Sequence, residues 1–577
     1  MDTKDDEELK LYPLLRSPVA SLVPPLVLML CVGLWAVDVL NWDEWTIWTG
    51  VLSKLQAGTL SLADMVAQQN EQRNLAARLA GLLLLPVFSL NRLAECALNI
   101  GLAGGIFLLV RRLYAKTAQP GSAPAPLLAI SLLSFSFLQW ETFSVGANSS
   151  VLLPPLGMWA GAVLATPRRP NEPLGWARLG FMILAGLIPS FSFVNGLFFW
   201  FCLTPLVALN AGSRGQKLAK TTIFALAGSL VWAAYFHGYS SPPHHPSPLA
   251  SLARPDLLLG YFLAYLGGGL VGDKNLLPLA LLAGTLPLIL LALFLRPVLG
   301  SLARRDWRHA WRDLAQLAPW LCVATFTLLS ALATAAGRSS FGLGQALESR
   351  YATFSTPLWL VLISLYSLRG HAMQERARLW MRHALGYCLA LFLLSSVLSA
   401  IVLHNRAPLL AEARAELFRC TTPQKLTSIF PDPAYVIRQL PLYLERRTAM
   451  YRDIKPLAAY IQAETRGGSF EIKPSLGVSG RVCGYLFSGR AGTGQAGLVL
   501  LVLPQRIAAV ARSEADGRFE LFVPDNALPA DNCVLRAFSL AADGRTLRLL
   551  GPVDGARLTN SPCPPPVLTV DKYFHVR

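Results

Sequence analysis

Apolar positions in this chain come in long uninterrupted blocks, and polar positions collect in short stretches between them. The blocks fall at roughly 20–40, 92–110, 125–140, 151–166, 175–192, 194–210, 221–237, 276–295, 314–335, 352–368 and 383–403. A helix needs roughly twenty such residues to cross the hydrocarbon core of a bilayer, so the pattern predicts a polytopic α-helical membrane protein with about eleven spans. Two further blocks fit less well. Residues 75–90 would force an extra crossing and are expected to form an interfacial helix. Residues 257–271, "LLLGYFLAYLGGGLV", are short and Gly-rich and are expected to be re-entrant or interfacial.

The pattern changes after about residue 404. Residues 404–468 are mixed and helical in character, with "PDPAYVIRQLPLYLERR" at their centre. From 469 the chain reads as strands. "GRFELFVP" and "NCVLRAFSL" alternate apolar and polar residues, "GLVLLVLP" reads as a fully buried strand, and "ADGR" marks turns. That spacing suggests a small all-β sandwich. The expected organisation is an N-terminal segment at 1–19, a membrane domain at 20–403, a helical connector at 404–468 and a β-sandwich at 469–577.

Composition sharpens this picture. With 53% hydrophobic and 15% charged residues over 577 positions, the chain is too apolar for an ordinary soluble enzyme. The net charge of +17 would suit nucleic acid, but the basic residues are spread over short loops and form no single patch. Arg111, Arg112 and Lys116, then Arg168 and Arg169, then Arg214, Lys217 and Lys220, then Arg304, Arg305 and Arg308, then Arg376, Arg378 and Arg382 mark every second loop. By the positive-inside rule these loops and the N-terminus are cytoplasmic, and an odd number of spans puts the tail outside the cytoplasm. No cleavable signal peptide is expected, because the leader "MDTKDDEELK" is acidic and no small-residue cleavage site follows the first block. Cys31, Cys96, Cys202, Cys322 and Cys388 lie in apolar blocks and read as small buried residues. Cys420, Cys483, Cys533 and Cys563 lie in the tail, where an oxidising compartment would permit two disulfides in any of three pairings.

Candidate chemistry gathers in the loops that are otherwise poor in charge. "NWDEWTIW" places Asp43 and Glu44 between Trp42 and Trp45, "QQNEQRN" carries Glu71 and Arg73, and "WETFSVGANSS" carries Glu141. "GYSSPPHHPSP" carries His244 and His245, and "GRSSFGLGQALESRYATFS" carries Arg338, Glu348, Arg350 and Tyr351. A carboxylate can take the proton of a hydroxyl nucleophile. Arginine forks bind phosphate, and tryptophan suits both sugar faces and the membrane interface. Structural readings stand beside these roles: Asp43 and Glu44 also fit a helix cap, and Arg350 with Tyr351 also fits an interface anchor. His244 and His245 fit an ordinary surface loop.

An acidic pair just after the first span of a many-span chain resembles the GT-C superfamily of polyprenyl-phosphate-dependent glycosyltransferases. The segments "WDEW", "NEQR", "FLQWETF", "SFSFVNGLFFW" and "ESRYATFS" look like a group of uncharacterised bacterial multi-span proteins, over roughly 20–403. The segment "EADGRFELFVP" resembles the carboxypeptidase-regulatory-like sandwich family. The resemblance implies an inner-membrane inverting transferase that moves a sugar from a polyprenyl-phosphate donor to an extracytoplasmic glycan, glycolipid or protein. It makes Asp43, or else Glu44, the base. Arg350, helped by Arg338, Arg73 and Tyr351, would hold the lipid phosphate. Glu71, Glu141, Trp42, Trp45, His244 and His245 would contact substrate. The group commonly carries histidine where this chain has Gln72. No metal-ligand set is spelled out, although a divalent ion beside carboxylates and phosphate stays open. Two other function classes remain: a transporter or flippase of lipid-linked saccharides, which calls for repeats and mid-membrane charges, and a non-catalytic scaffold.

Overall fold

The computed structural model describes residues 17–455, except 121, 168–171, 242–250, 252, 371–372 and 420–421. Beyond 455 it describes 461–463, 468–476, 482–491, 497–502, 507–524, 536–540 and 546–552. The chain divides into two compact units. The first holds 17–36, 62–80 and 93–404, and the second holds 37–61, 81–92 and the residues from 405 onward. Segments 37–61 and 81–92, read from sequence as part of the membrane domain, thus belong with the tail.

The first unit is a bundle of apolar helices. Among the described residues, seven stretches are long and apolar enough to cross a membrane: Arg92–Thr117, Leu127–Ser144, Arg214–Phe236, Lys274–Ala303, Trp307–Phe341, Ser349–Arg369 and Glu375–Phe418. The blocks near 20–40, 175–192 and 194–210 form the shorter helices Ala20–Trp35, Trp176–Ser190 and Val194–Leu209. The block at 151–166 forms Ser149–Ala165. At 1.5 Å per residue, a helix of about fifteen residues reaches only about 22 Å, short of the ~30 Å hydrocarbon core. We name the helices in chain order: α1 Val23–Trp35, α2 Asp43–Gln56, α3 Leu62–Met65, α4 Leu75–Phe88, α5 Arg92–Thr117, α6 Leu127–Ser134, α7 Trp140–Ser144, α8 Ser149–Ala165, α9 Trp176–Ser190 and α10 Phe198–Leu209. They continue with α11 Arg214–Phe236, α12 Pro255–Gly267, α13 Leu277–Ala303, α14 Trp307–Arg338, α15 Ser349–Arg369, α16 Glu375–Arg419 and α17 Pro433–Arg446.

The α9–α10 hairpin turns at a buried polar tip containing Ser190, Ser192 and Asn195. Gly196 is required there, because a Cβ would overlap the Pro189 carbonyl. Gln72 Oε1 accepts the Val194 N–H at 2.6 Å and the Phe191 carbonyl accepts the Ala76 N–H at 3.1 Å, so the tip is tied to the 72–76 segment. Gln72 therefore serves this tie. Residues 257–271 are not a surface-lying element: α12 packs backbone to backbone on α13, with a Cβ on Gly267 or Gly284 overlapping the Ala280 or Leu263 carbonyl. Tyr261, Ala264, Tyr265 and Leu266 are buried. Helix α4, at the block read as interfacial, exposes Leu79, Leu83, Val87 and Phe88.

The second unit combines α2 and α17 with eight strands: β1 Ile461–Ala463, β2 Gly468–Leu476, β3 Val482–Ala491, β4 Leu498–Val502, β5 Ile507–Arg512, β6 Arg518–Pro524, β7 Arg536–Leu540 and β8 Thr546–Pro552. They form a sheet of order β1-β8-β7-β4-β5, parallel only at β1–β8, and an antiparallel sheet of order β2-β3-β6. Phe487 of β3, Val499 and Leu501 of β4, and Phe519 and Leu521 of β6 share one apolar core, so both sheets contribute to it. The "LVLLV" strand is buried from Val499 to Val502, and "EADGR" turns at Gly517 with φ of 83°. Cys31, Cys96, Cys202, Cys322 and Cys388 are free thiols. Cys420, Cys533 and Cys563 lie outside the described residues, and only the backbone of Cys483 is described.

Candidate functional site

In the first unit, several of the candidate residues meet where loop 69–74 approaches the last turn of α14 and the first turn of α15. A tight turn, closed by paired backbone bonds between Gln69 and Gln72, presents Glu71. Tyr235 Oη of α11 donates to the Glu71 carbonyl at 2.7 Å, and the Glu71 carboxylate pairs with Arg338. On α15, Arg350 Nη1 reaches Glu141 Oε1 at 3.4 Å and its guanidinium lies 5.7 Å from the centre of the Tyr351 ring. Tyr351 is buried and packs on Tyr265 at 5.5 Å. Arg338 lies within electrostatic reach of both Tyr351 and Arg350.

Hydroxyl staples fix this geometry. Ser349 Oγ accepts the Glu141 N–H at 3.0 Å and donates to the Leu138 carbonyl at 2.8 Å. Thr142 and Thr353 bond at 2.9 Å, so α7 and α15 are locked together at the level of Glu141 and Arg350. The rim holds further groups that sequence reasoning passed over. Lys274 pairs with Glu348 at 2.7 Å, Tyr261 Oη donates to Gln345 Oε1 at 3.4 Å, and burial with the nearby Glu71 carboxylate pushes the Tyr239 phenol above its ordinary pKa. Lys274 was legible as a lysine in a loop otherwise poor in basic residues, whereas the tyrosines looked like ordinary helix residues. Both arginines remain partly exposed. Two guanidinium groups held beside carboxylates and phenols can receive an anion by exchanging carboxylate for phosphate oxygens.

Arg73 does something else. Its Nε donates to the Tyr235 carbonyl at 2.7 Å, Nη1 to Val66 at 2.9 Å and Nη2 to His237 at 2.7 Å. A cation there satisfies the last carbonyls of α11 and complements the helix dipole, worth about 0.3–1 kcal/mol at exposed sites and up to ~2 kcal/mol when partly buried. The geometry gives Arg73 a structural cap. His244 and His245 lie outside the described residues.

In the second unit, α2 begins at Asp43, which is exposed, while Glu44 is buried. Glu44 Oε1 pairs with Arg92 Nη1 at 2.6 Å, with the two side chains 1% and 2% exposed. Glu44 Oε2 accepts the Asn41 N–H at 2.9 Å. Asp38 accepts the Arg92 N–H at 2.9 Å and pairs with Arg452. Trp45 is buried, donating to the Leu40 carbonyl at 2.9 Å and packing edge-on to Tyr443 at 5.3 Å. Trp42 is 51% exposed and sits at φ of 49°, a left-handed conformation, with its N–H on the Ile429 carbonyl at 2.6 Å. The two acids of "WDEW" therefore differ: Glu44 braces the start of α2 and Asp43 faces outward. Arg92, Asp38 and Arg452 were not singled out from sequence, because each lies far along the chain from its partner.

Among the described residues, no group of three or more His, Cys, Asp or Glu side chains is arranged to hold a metal ion. Comparison with protein-family models, with curated proteins and with solved structures gives no match.

Proposed function

We propose that the chain is a membrane transferase that binds a lipid-linked phosphate at Arg338 and Arg350. The observation that carries the reading is the pair of partly exposed arginines, each set against a carboxylate, at one end of an apolar helical bundle. Helix α15 carries the cluster into apolar surroundings. About 14–20 Å along its axis from Arg350, Trp359 and Ile363 line a small apolar hollow with Leu133, Leu270, Cys388 and Phe392.

In this reading the seven long helices and the four shorter ones, each extended by its flanking loop residues, make eleven crossings. The Arg304–Arg312 end is cytoplasmic, and the tail forms an extracytoplasmic β-sandwich that selects the acceptor. The reaction is that of a GT-C-like inverting glycosyltransferase. A base takes the proton of the acceptor hydroxyl as its oxygen attacks the anomeric carbon, and the polyprenyl phosphate leaves with the bonding pair. Asp43 is our choice of base, on the resemblance and on its exposure; Glu44 is a positioning residue.

The test is turnover of a panel of polyprenyl-phosphate sugars by full-length protein in lipid nanodiscs. Wild type is expected to transfer one of them, and Asp43→Asn is expected to lower kcat by about a hundredfold or more while leaving donor binding unchanged, the range of a lost general base. Donor binding without turnover in wild type would favour a transporter. An Asp43→Asn variant that matches wild type would remove the base assignment.

A further inference from the structure

The arginine–carboxylate cluster lies at one end of α14, and the other end carries a different surface. Trp307 and Trp311 are 67% and 62% exposed. Four residues apart, they lie on one stripe of the helix, and Arg308 and Arg312 form the adjoining stripe. Arg304 and Arg305, in the turn from α13, are exposed as well, with Arg305 at φ of 58°. The acids here are already engaged: Asp306 pairs with His309 at 2.5 Å and lies in the field of Arg304, while Asp313 interacts with Arg369. The hairpin tip is thus strongly cationic and carries two outward indoles.

Length sets its depth. Helices α13 and α14 have 27 and 32 residues, so they run about 40 and 48 Å. The hydrocarbon core is about 30 Å thick, which leaves two to three turns for the headgroup region. Helix α14 becomes buried and apolar from Leu317 onward, so its first turns are the part that emerges. The same end of the unit carries exposed Trp176, with Lys220 5.1 Å from its ring centre, and exposed Trp380 at the start of α16. Indoles settle at the headgroup level, and each nearby Lys or Arg adds attraction to an anionic leaflet. A soluble anion would use the arginines and leave both indoles in water.

We propose that the α13–α14 hairpin is a binding site for anionic phospholipid headgroups. Arg304, Arg305, Arg308 and Arg312 meet the phosphate, and Trp307 and Trp311 sit beside the glycerol backbone. The site lies about 46 Å along α14 from Arg338, so it is separate from the lipid-linked phosphate cluster.

The test uses full-length protein in mixed phosphatidylcholine and phosphatidylglycerol nanodiscs, with lipids retained after detergent extraction counted by native mass spectrometry. Wild type is expected to enrich phosphatidylglycerol, with the enrichment falling as salt rises. Changing all four arginines to glutamine (R304Q, R305Q, R308Q and R312Q together) is expected to reduce it by about tenfold or more, while four lysines retain most of it. Equal retention of both lipids, enrichment that survives the glutamine variant, or full displacement by inorganic phosphate would each overturn the proposal. If the glutamine variant does not assemble, the salt titration of wild type decides: salt-insensitive retention overturns the site.

Discussion

At the residue scale, the clearest lesson is in "WDEW". Two adjacent acids share composition and location, yet one is buried in an ion pair and the other faces outward. Removing one partner of a buried pair leaves an uncompensated charge and costs about 3–5 kcal/mol, while replacing both by apolar residues is often close to neutral. Glu44→Gln is therefore expected to lower the unfolding free energy of the protein in mixed micelles by about 3–5 kcal/mol. The double change Glu44→Gln with Arg92→Met should recover much of that loss. A Glu44→Gln protein as stable as wild type would show that the pair does not brace α2. The acids were legible in the sequence because they interrupt an apolar context. Their difference was not, since it depends on Arg92, which lies 48 positions away. Arg73 teaches the same point: its charge on the outer loop suggested phosphate, and its three carbonyl partners lie on other segments.

At the element scale, apolar blocks predicted the helices well and their lengths poorly. The hairpin α9–α10 shows why. Its connecting segment holds the Asn195-Gly196 pair, itself a turn signal. The shortness of both arms comes from a tip that buries polar groups and ties itself to Gln72 and Ala76. Such a tip depends on contacts that hydropathy does not record. Gly196→Ala should destabilise by about 1–3 kcal/mol, the usual range for overpacking, because the Pro189 carbonyl fills the space. Gly180→Ala, in α9 with nothing nearby, should instead stabilise by about 0.5–1 kcal/mol. Thermal midpoints in one micelle system measure both, and a neutral Gly196→Ala would refute the close approach. In the tail, the buried "LVLLV" run and the "EADGR" turn were legible from an unbroken apolar stretch and from turn chemistry. The parallel pairing of β1 with β8 was not, because it joins segments 85 positions apart.

At the scale of the whole molecule, the positive charge serves more than topology. Lys116 caps α8 through the Val163 and Thr166 carbonyls, each at 2.7 Å, and Lys220 binds the Leu174 carbonyl at 2.5 Å. Part of the loop charge from which the positive-inside rule reads orientation is thus also part of the helix-end architecture, while the α13–α14 tip keeps its arginines outward. The central claim is that Arg338 and Arg350 hold a lipid-linked phosphate, and direct binding tests it without assuming turnover. Polyprenyl phosphate binding would be measured on full-length protein in nanodiscs, for wild type, Arg350→Ala and Arg338→Ala. The account predicts saturable binding by wild type that weakens by about tenfold or more in each variant, as expected for loss of a charge-assisted bond worth about 1.5–3 kcal/mol. Equal binding by all three proteins, or by none, would contradict it.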